Sequence, residues 1–266
     1  MNNHLILLKF GGSLITDKSK PKTANRELIS HLGKEILFAK RQNPEIQLIL
    51  GHGSGSFGHI PARKYGTRQG VFTSEDWVGF WEVWKETHAL DQIVLDEFQK
   101  IGMRIMSFPP SAMVVTLNHK VIKWDTRPIQ TAIKNGIIPM VFGDVVFDPE
   151  LGGTILSTEE LFMHLAKEFR PSRIILVGKE KGIYKVFPKK EDLIPLINRS
   201  NVLELETSVH GASTVDVTGG MLSKMKLMWK LCENDRKLSV DFCSVDELNP
   251  LHEIIFGLHS GTRMQY

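Results

Sequence analysis

Cysteine is nearly absent: the 266-residue chain has two, Cys232 and Cys243. So small a number excludes a disulfide-stapled scaffold, and their C-x10-C spacing fits no common zinc pattern. Both are expected as buried free thiols in a cytoplasmic protein. Long hydrophobic runs are missing as well. No stretch approaches the roughly 18 consecutive apolar residues of a membrane span. The apolar run near the N-terminus is short and cut by Lys9, which does not suit a signal peptide. Nor does one sign of charge prevail. The 33 Lys and Arg against 30 Asp and Glu leave +3, spread along the chain without a basic block, so nothing calls for nucleic acid. The mild excess suits small anions. Repeats and low-complexity tracts are absent. What remains is a chain 42% hydrophobic, enough to bury one sizeable core.

Short apolar runs alternate with helical spacing. Leu5–Phe10 and Ile46–Leu50 read as buried strands, each opening into glycine. Asn25 is a candidate N-cap for a helix to Arg41, and Thr73-x-x-Asp76 resembles a capping box for a long helix reaching Lys100. Further strands are expected at 104–106, 113–116, 137–142, 174–177 and 238–242, with helices at 126–135, 158–169, 220–234 and 246–256. The stretch 178–215 is expected to hold loops or a small hairpin. Such alternation predicts an α/β fold: a three-layer αβα sandwich around a mainly parallel sheet. It is expected to be a single domain, residues 1–266, with an N-lobe and a C-lobe meeting near residue 170.

Three glycine-rich turns carry the chemistry. The first, Lys9-Phe10-Gly11-Gly12-Ser13, follows a strand, and Lys18 comes soon after. Glycine lets backbone N–H groups approach phosphate oxygens without a Cβ in the way, although such a turn can also be purely structural. The second is Gly51-His52-Gly53-Ser54-Gly55-Ser56-Phe57-Gly58-His59. It matches the G-x-G-x-x-G dinucleotide pattern formally, but it follows the second strand, and Glu75 and Asp76 open a helix rather than end a strand. No Gly-Lys-Ser/Thr closes it, so it is no Walker A loop. What is left is an anion nest at a helix start, with His59 one turn inside. That histidine either touches an anion or packs structurally. The third, Asp216-Val217-Thr218-Gly219-Gly220-Met221, precedes Lys224 and an amphipathic helix. A polyanionic ligand accounts for all three turns together.

With Gly143-Asp144-Val145-Val146-Phe147-Asp148 and Gly182-Ile183-Tyr184, these segments span residues 9 to 224. In that order the chain resembles the amino acid kinase superfamily, and within it the isopentenyl phosphate kinases. The resemblance implies ATP-dependent phosphorylation of a small phosphate, isopentenyl phosphate, with Mg2+, by a homodimer. It implies catalytic roles for Lys9, Lys18 and His59. Lys9, Gly11, Gly12, Ser13, Gly55, Gly182, Gly219 and Lys224 would hold ATP, with the C-lobe as the nucleotide side. Ser54, His59 and Gly143 would hold the acceptor phosphate on the N-lobe side. Two departures stand out. Where the family often has Ser-Gly-Asp this chain reads Ser157-Thr158-Glu159, so Glu159 organises the lysines only if its longer side chain fits. Where the nucleotide-side strand commonly ends in Thr-Asp-x-Asp-Gly, this chain has Gly178-Lys179-Glu180-Lys181-Gly182.

A phosphate acceptor has a second pKa of about 6, so it is largely dianionic at neutral pH and needs no general base. It needs relief from repulsion, which lysines and helix N-termini supply. No cluster of acids suggests a metal cage, so Mg2+ is expected on phosphates and water. Trp77, Phe80 and Trp81, with Trp84, crowd one helix. They are either core or the apolar lining for an isoprenyl tail. The alternatives are a fosfomycin-type phosphonate kinase, a carboxylate kinase, and a nucleotide-binding regulatory or storage module without catalysis.

Overall fold

A computed structural model describes residues 4–17, 20–186, 190–208, 220–258 and 261–266. The first half runs β1 (Leu5–Phe10), α1 (Gly12–Ile15), α2 (Arg26–Gln42), β2 (Gln47–His52), α3 (Gly55–Tyr65), α4 (Ser74–Lys100), β3 (Ile105–Ser107) and α5 (Pro110–Met113). Next come β4 (Val114–Leu117), β5 (Lys120–Trp124), α6 (Arg127–Lys134), β6 (Ile138–Phe142), β7 (Asp144–Asp148), β8 (Gly152–Leu156) and α7 (Thr158–Phe169). The chain continues through β9 (Arg173–Val177), β10 (Tyr184–Val186), β11 (Glu191–Leu193), β12 (Leu196–Ile197) and α8 (Val202–Ser208). It finishes with α9 (Gly220–Asn234), β13 (Ser239–Cys243), α10 (Leu251–Phe256) and β14 (Gly261–Gln265).

Eight strands form one sheet in the order β12-β14-β13-β9-β1-β2-β6-β3. Every neighbouring pair in it is parallel except β13 with β14. β1 lies at the centre, buried along its whole length. Because side chains alternate faces along a strand, Leu5 and Leu7 pack with α6, α7 and α9, whereas Ile6, Leu8 and Phe10 pack with α2, α4 and α10. Helices therefore cover both faces of a mainly parallel sheet. The same alternation puts Lys9 on the α7 face, one step beyond Leu7.

The long helix is capped as its sequence suggests: Thr73 accepts from Asp76 N and Asp76 reaches back to Thr73 N. Helix α7 carries the same device through Ser157 and Glu160. At 246–256 the expectation fails in part. Asp246 accepts from Leu248 N in a tight turn, and the helix begins only after Pro250, which lacks an N–H and fixes φ. Of a second sheet, β5-β4-β7-β8, the sequence reading expects only β4, at 113–116. Its other strands carry Lys120, Lys123, Asp144, Asp148, Gly152 and Gly153, which hide any apolar run. The stretch 178–215 contains a two-stranded hairpin, β10 with β11, and then β12 and α8. Among the described residues no helix is long and apolar enough to cross a membrane.

Candidate active site

The first two glycine turns meet at the carboxyl ends of β1 and β2, where open α/β sheets bind ligands. Gly11 N–H donates to Val177 O (2.8 Å) and Gly53 N–H to Phe10 O (3.0 Å), tying both turns to the sheet. A Cβ on Gly12 would stand 2.3 Å from Gly55 N, so the two backbones touch where only glycine fits. Gly55 itself has φ +51°, in the left-handed region. Thr16 locks the contact. Its hydroxyl donates to Gly12 O (2.7 Å) and accepts from Ser56 N (3.0 Å).

A cavity of about 580 Å³ opens at this junction. Among the described residues it is lined by Lys9, Gly11, Gly12, Ser13, Ser54, Gly55, His59, Gly143, Glu159 and Lys224, ten of the positions singled out in the sequence. The N-terminus of α3 faces it through Gly53–Ser56, with His59 one turn in. Gly143 arrives at the end of β6, its N–H held by His52 O (3.1 Å). Thr158 Oγ1 donates to the same carbonyl (2.6 Å), fastening the start of α7 to the end of β2.

Glu159 is the electrostatic centre. Its side chain, in the first turn of α7, is almost wholly buried, and Oε1 lies 2.8 Å from Lys9 Nζ and 3.5 Å from Lys224 Nζ. The extra methylene over Asp therefore still reaches both lysines. Burial alone would raise its pKa, but the charges of Lys9 and Lys224 and the Lys9 hydrogen bond hold it at about 2. One carboxylate thus fixes two ammonium groups, one from each end of the chain, on the wall of the same cavity.

Other positions fall elsewhere. Phe80 is buried against Val71, Val83, Val145 and Ile155, behind the cavity wall rather than on it. Trp77 packs on Phe80 and Phe147 (centroids 5.1 and 6.2 Å) and is partly exposed, and Trp81 is more exposed still. None of the three is among the lining residues. Gly182 is also away from the cavity. It packs where a Cβ would meet Thr262 Oγ1 at 2.5 Å, so its small size serves contact with β14. Lys18 and Gly219 lie outside the described residues. The lining residues that sequence reasoning missed include Ile60, Arg63, Lys64, Ile155 and Thr158. Arg63 was findable, because it follows His59 by four residues on one helix and so shares its face.

The model of the amino acid kinase family matches residues 4–240. The chain belongs to the amino acid kinase family. As a member of it the chain is a phosphotransferase, with ATP the donor that the family implies. It is similar to the isopentenyl phosphate kinase of Methanocaldococcus jannaschii, 29% identical over 98% of this chain and 99% of the relative. That of Methanothermobacter thermautotrophicus is 30% identical over 86% and 87%. Among solved structures, one described as X-ray structures of isopentenyl phosphate kinase superposes with a TM-score of 0.83 at 26% identity, covering 98% of this chain and all of the other. An isopentenyl phosphate kinase substrate complex gives 0.76 at 26% identity, with the same coverage.

Proposed function

We propose that this chain transfers the γ-phosphoryl group of ATP to isopentenyl phosphate, giving isopentenyl diphosphate and ADP. The observation that carries the reading is the Lys9–Glu159–Lys224 cluster set beside two abutting glycine turns, in a chain similar along nearly its whole length to isopentenyl phosphate kinases. Lys9 and Lys224 offset the charge of the nucleotide phosphates, with Gly11, Gly12, Ser13 and Gly55 supplying backbone donors. Lys18 reaches the transferred phosphoryl group, and Gly219 lies along the nucleotide on the C-lobe side. The α3 N-terminus with Ser54 and His59, and Gly143 beside them, receives the acceptor phosphate. As the acceptor is already dianionic near neutral pH, the protein positions and neutralises and removes no proton.

Mg2+ enters this reading only as an ion carried by phosphates and water. Among the described residues no group of three or more His, Cys, Asp or Glu could hold a metal, and the cavity's one carboxylate, Glu159, is engaged by two lysines. The regulatory-module alternative drew its support from the change to Glu159, and the ion pairs made by Glu159 remove that support. A homodimer belongs to the same proposal and is checked by sedimentation.

The test is ADP release with isopentenyl phosphate, dimethylallyl phosphate, fosfomycin and glutamate. Isopentenyl phosphate is expected to give the highest kcat/KM, and faster turnover of fosfomycin or glutamate would reject the reading. His59→Ala is expected to damage acceptor turnover while leaving ATP affinity nearly intact. Equal loss of both would show that the histidine is structural.

A further inference from the structure

His52 ends β2 directly before the second glycine turn, and its ring is completely buried. It stacks on Phe142 (centroids 5.4 Å, planes 6° apart), which fixes the ring plane. Within that plane Nε2 lies 3.2 Å from Asp91 Oδ1 and Nδ1 lies 3.2 Å from Gly53 O. Asp91 is buried on α4, and its other oxygen accepts from Ser107 Oγ (2.8 Å). A carbonyl oxygen and a carboxylate oxygen both accept, so each contact is attractive only with a hydrogen on the ring nitrogen that makes it. The partners of a histidine ring decide where its hydrogens sit.

The consequence falls on the next peptide. In a trans peptide the C=O and the following N–H point in opposite directions. With Gly53 O drawn onto the buried ring, Ser54 N–H is turned the other way. The cavity is open to this peptide: Gly53 and Ser54 both line it, and a Cβ on Gly53 would stand 3.7 Å from Lys9 Nζ. Gly53 N–H is already given to Phe10 O, so rotation of the Gly53–Ser54 peptide is the freedom that remains. Glycine permits that rotation readily. A flipped peptide would present a carbonyl oxygen, not a donor, to an incoming anion.

We propose that His52, oriented by Asp91, is a positioning residue that keeps the Gly53–Ser54 peptide turned with its N–H toward the acceptor phosphate. The inference rests on the reading above that this turn receives a phosphate.

Two substitutions separate the two ring contacts. His52→Asn keeps a donor near the Nδ1 position and abandons Asp91. His52→Gln reaches toward Asp91 and abandons Gly53. Each is compared with the wild type by Tm, by KM for isopentenyl phosphate and for ATP, and by calorimetric Kd for inorganic phosphate. The Gln variant is expected to weaken isopentenyl phosphate and inorganic phosphate tenfold or more, about the value of one hydrogen bond to a charged group, with KM for ATP little changed. The Asn variant is expected to lose more Tm, because a buried Asp91 oxygen loses its partner, yet to bind phosphate more tightly than the Gln variant. Wild-type phosphate affinity in the Gln variant would overturn the proposal, as would losses that simply track Tm in both. Should the Asn variant not fold, the Gln variant's phosphate affinity decides alone. If the wild type does not turn over isopentenyl phosphate, the proposed function fails, and inorganic phosphate binding still judges His52.

Discussion

Lys9 Nζ and Glu159 Oε1 lie 2.8 Å apart although 150 residues separate them in sequence. The pair joins the central strand to the first turn of α7, and Lys224 extends it to α9 at 3.5 Å. Glu159→Gln would leave two lysines close together with no carboxylate between them. Breaking a buried pair this way costs about 3 kcal/mol or more. The expected outcome is lower stability in chemical denaturation and a fall in kcat larger than any change in acceptor KM. Glu159→Asp, one methylene shorter, is expected to lie between Gln and the wild type.

The same pair sets a pH dependence whose sign follows from its direction. Glu159 is held at about 2 in the folded protein against an ordinary 4.5. Its folded pKa is depressed, so its contribution is fully present above about 4.5 and is lost as pH falls toward 2. The stability gap between wild type and Glu159→Gln is therefore expected to stay constant from about pH 8 down to about pH 5 and then to close. A gap that changes between about pH 6 and pH 8 would assign it to another group.

Contact between the two turns leaves no room for a side chain. Gly12→Ala puts a methyl 2.3 Å from Gly55 N and 2.6 Å from Gly55 Cα, both backbone atoms that cannot swing aside. The turns must separate, and with them the phosphate donors. Loss of most activity is expected, along with a stability cost of about 1–3 kcal/mol typical of overpacking. Wild-type kcat/KM in this variant would show that the junction tolerates opening.

Much of this site was legible because phosphate chemistry needs glycine at strand ends, and glycine shows in a sequence. Lys9, Gly12, Gly55 and His59 stood in such turns. The partnership of Glu159 with Lys9 and Lys224 came only through the family resemblance, because reach across three elements depends on packing that spacing does not encode. The central strands were equally plain, each a short apolar run such as Leu5–Leu8. Of the second sheet only β4 was, since β5 and β7 mix Lys and Asp with their apolar residues, and Asp148 is buried only because it caps turns. It accepts from Thr116 Oγ1 at 2.9 Å and from the N–H groups of His119, Glu150 and Leu151 at 3.1 Å each. The aromatic cluster was left open between core and lining for a related reason: helical spacing shows which rings share a face, not what that face meets.

That cluster gives the last prediction. Phe80 is 7% exposed and shares a buried cluster with Ile155, which itself lines the cavity, whereas Trp81 is 54% exposed beside Lys85. Phe80→Ala is expected to cost about 3–5 kcal/mol, the range for a buried aromatic, and Trp81→Ala less than about 0.5 kcal/mol. Their effects on the acceptor should divide the same way. Removing the Phe80 ring leaves a void behind Ile155, so that side chain can retreat and longer-chain phosphates should gain relative to isopentenyl phosphate. Trp81→Ala should leave acceptor KM and chain-length preference unchanged. Both are read from denaturation curves and from KM values over phosphates of increasing chain length. A raised acceptor KM in Trp81→Ala with unaltered stability would mean that the exposed ring folds over the bound tail, and the apolar lining would then belong to α4 rather than to Ile60 and Ile155.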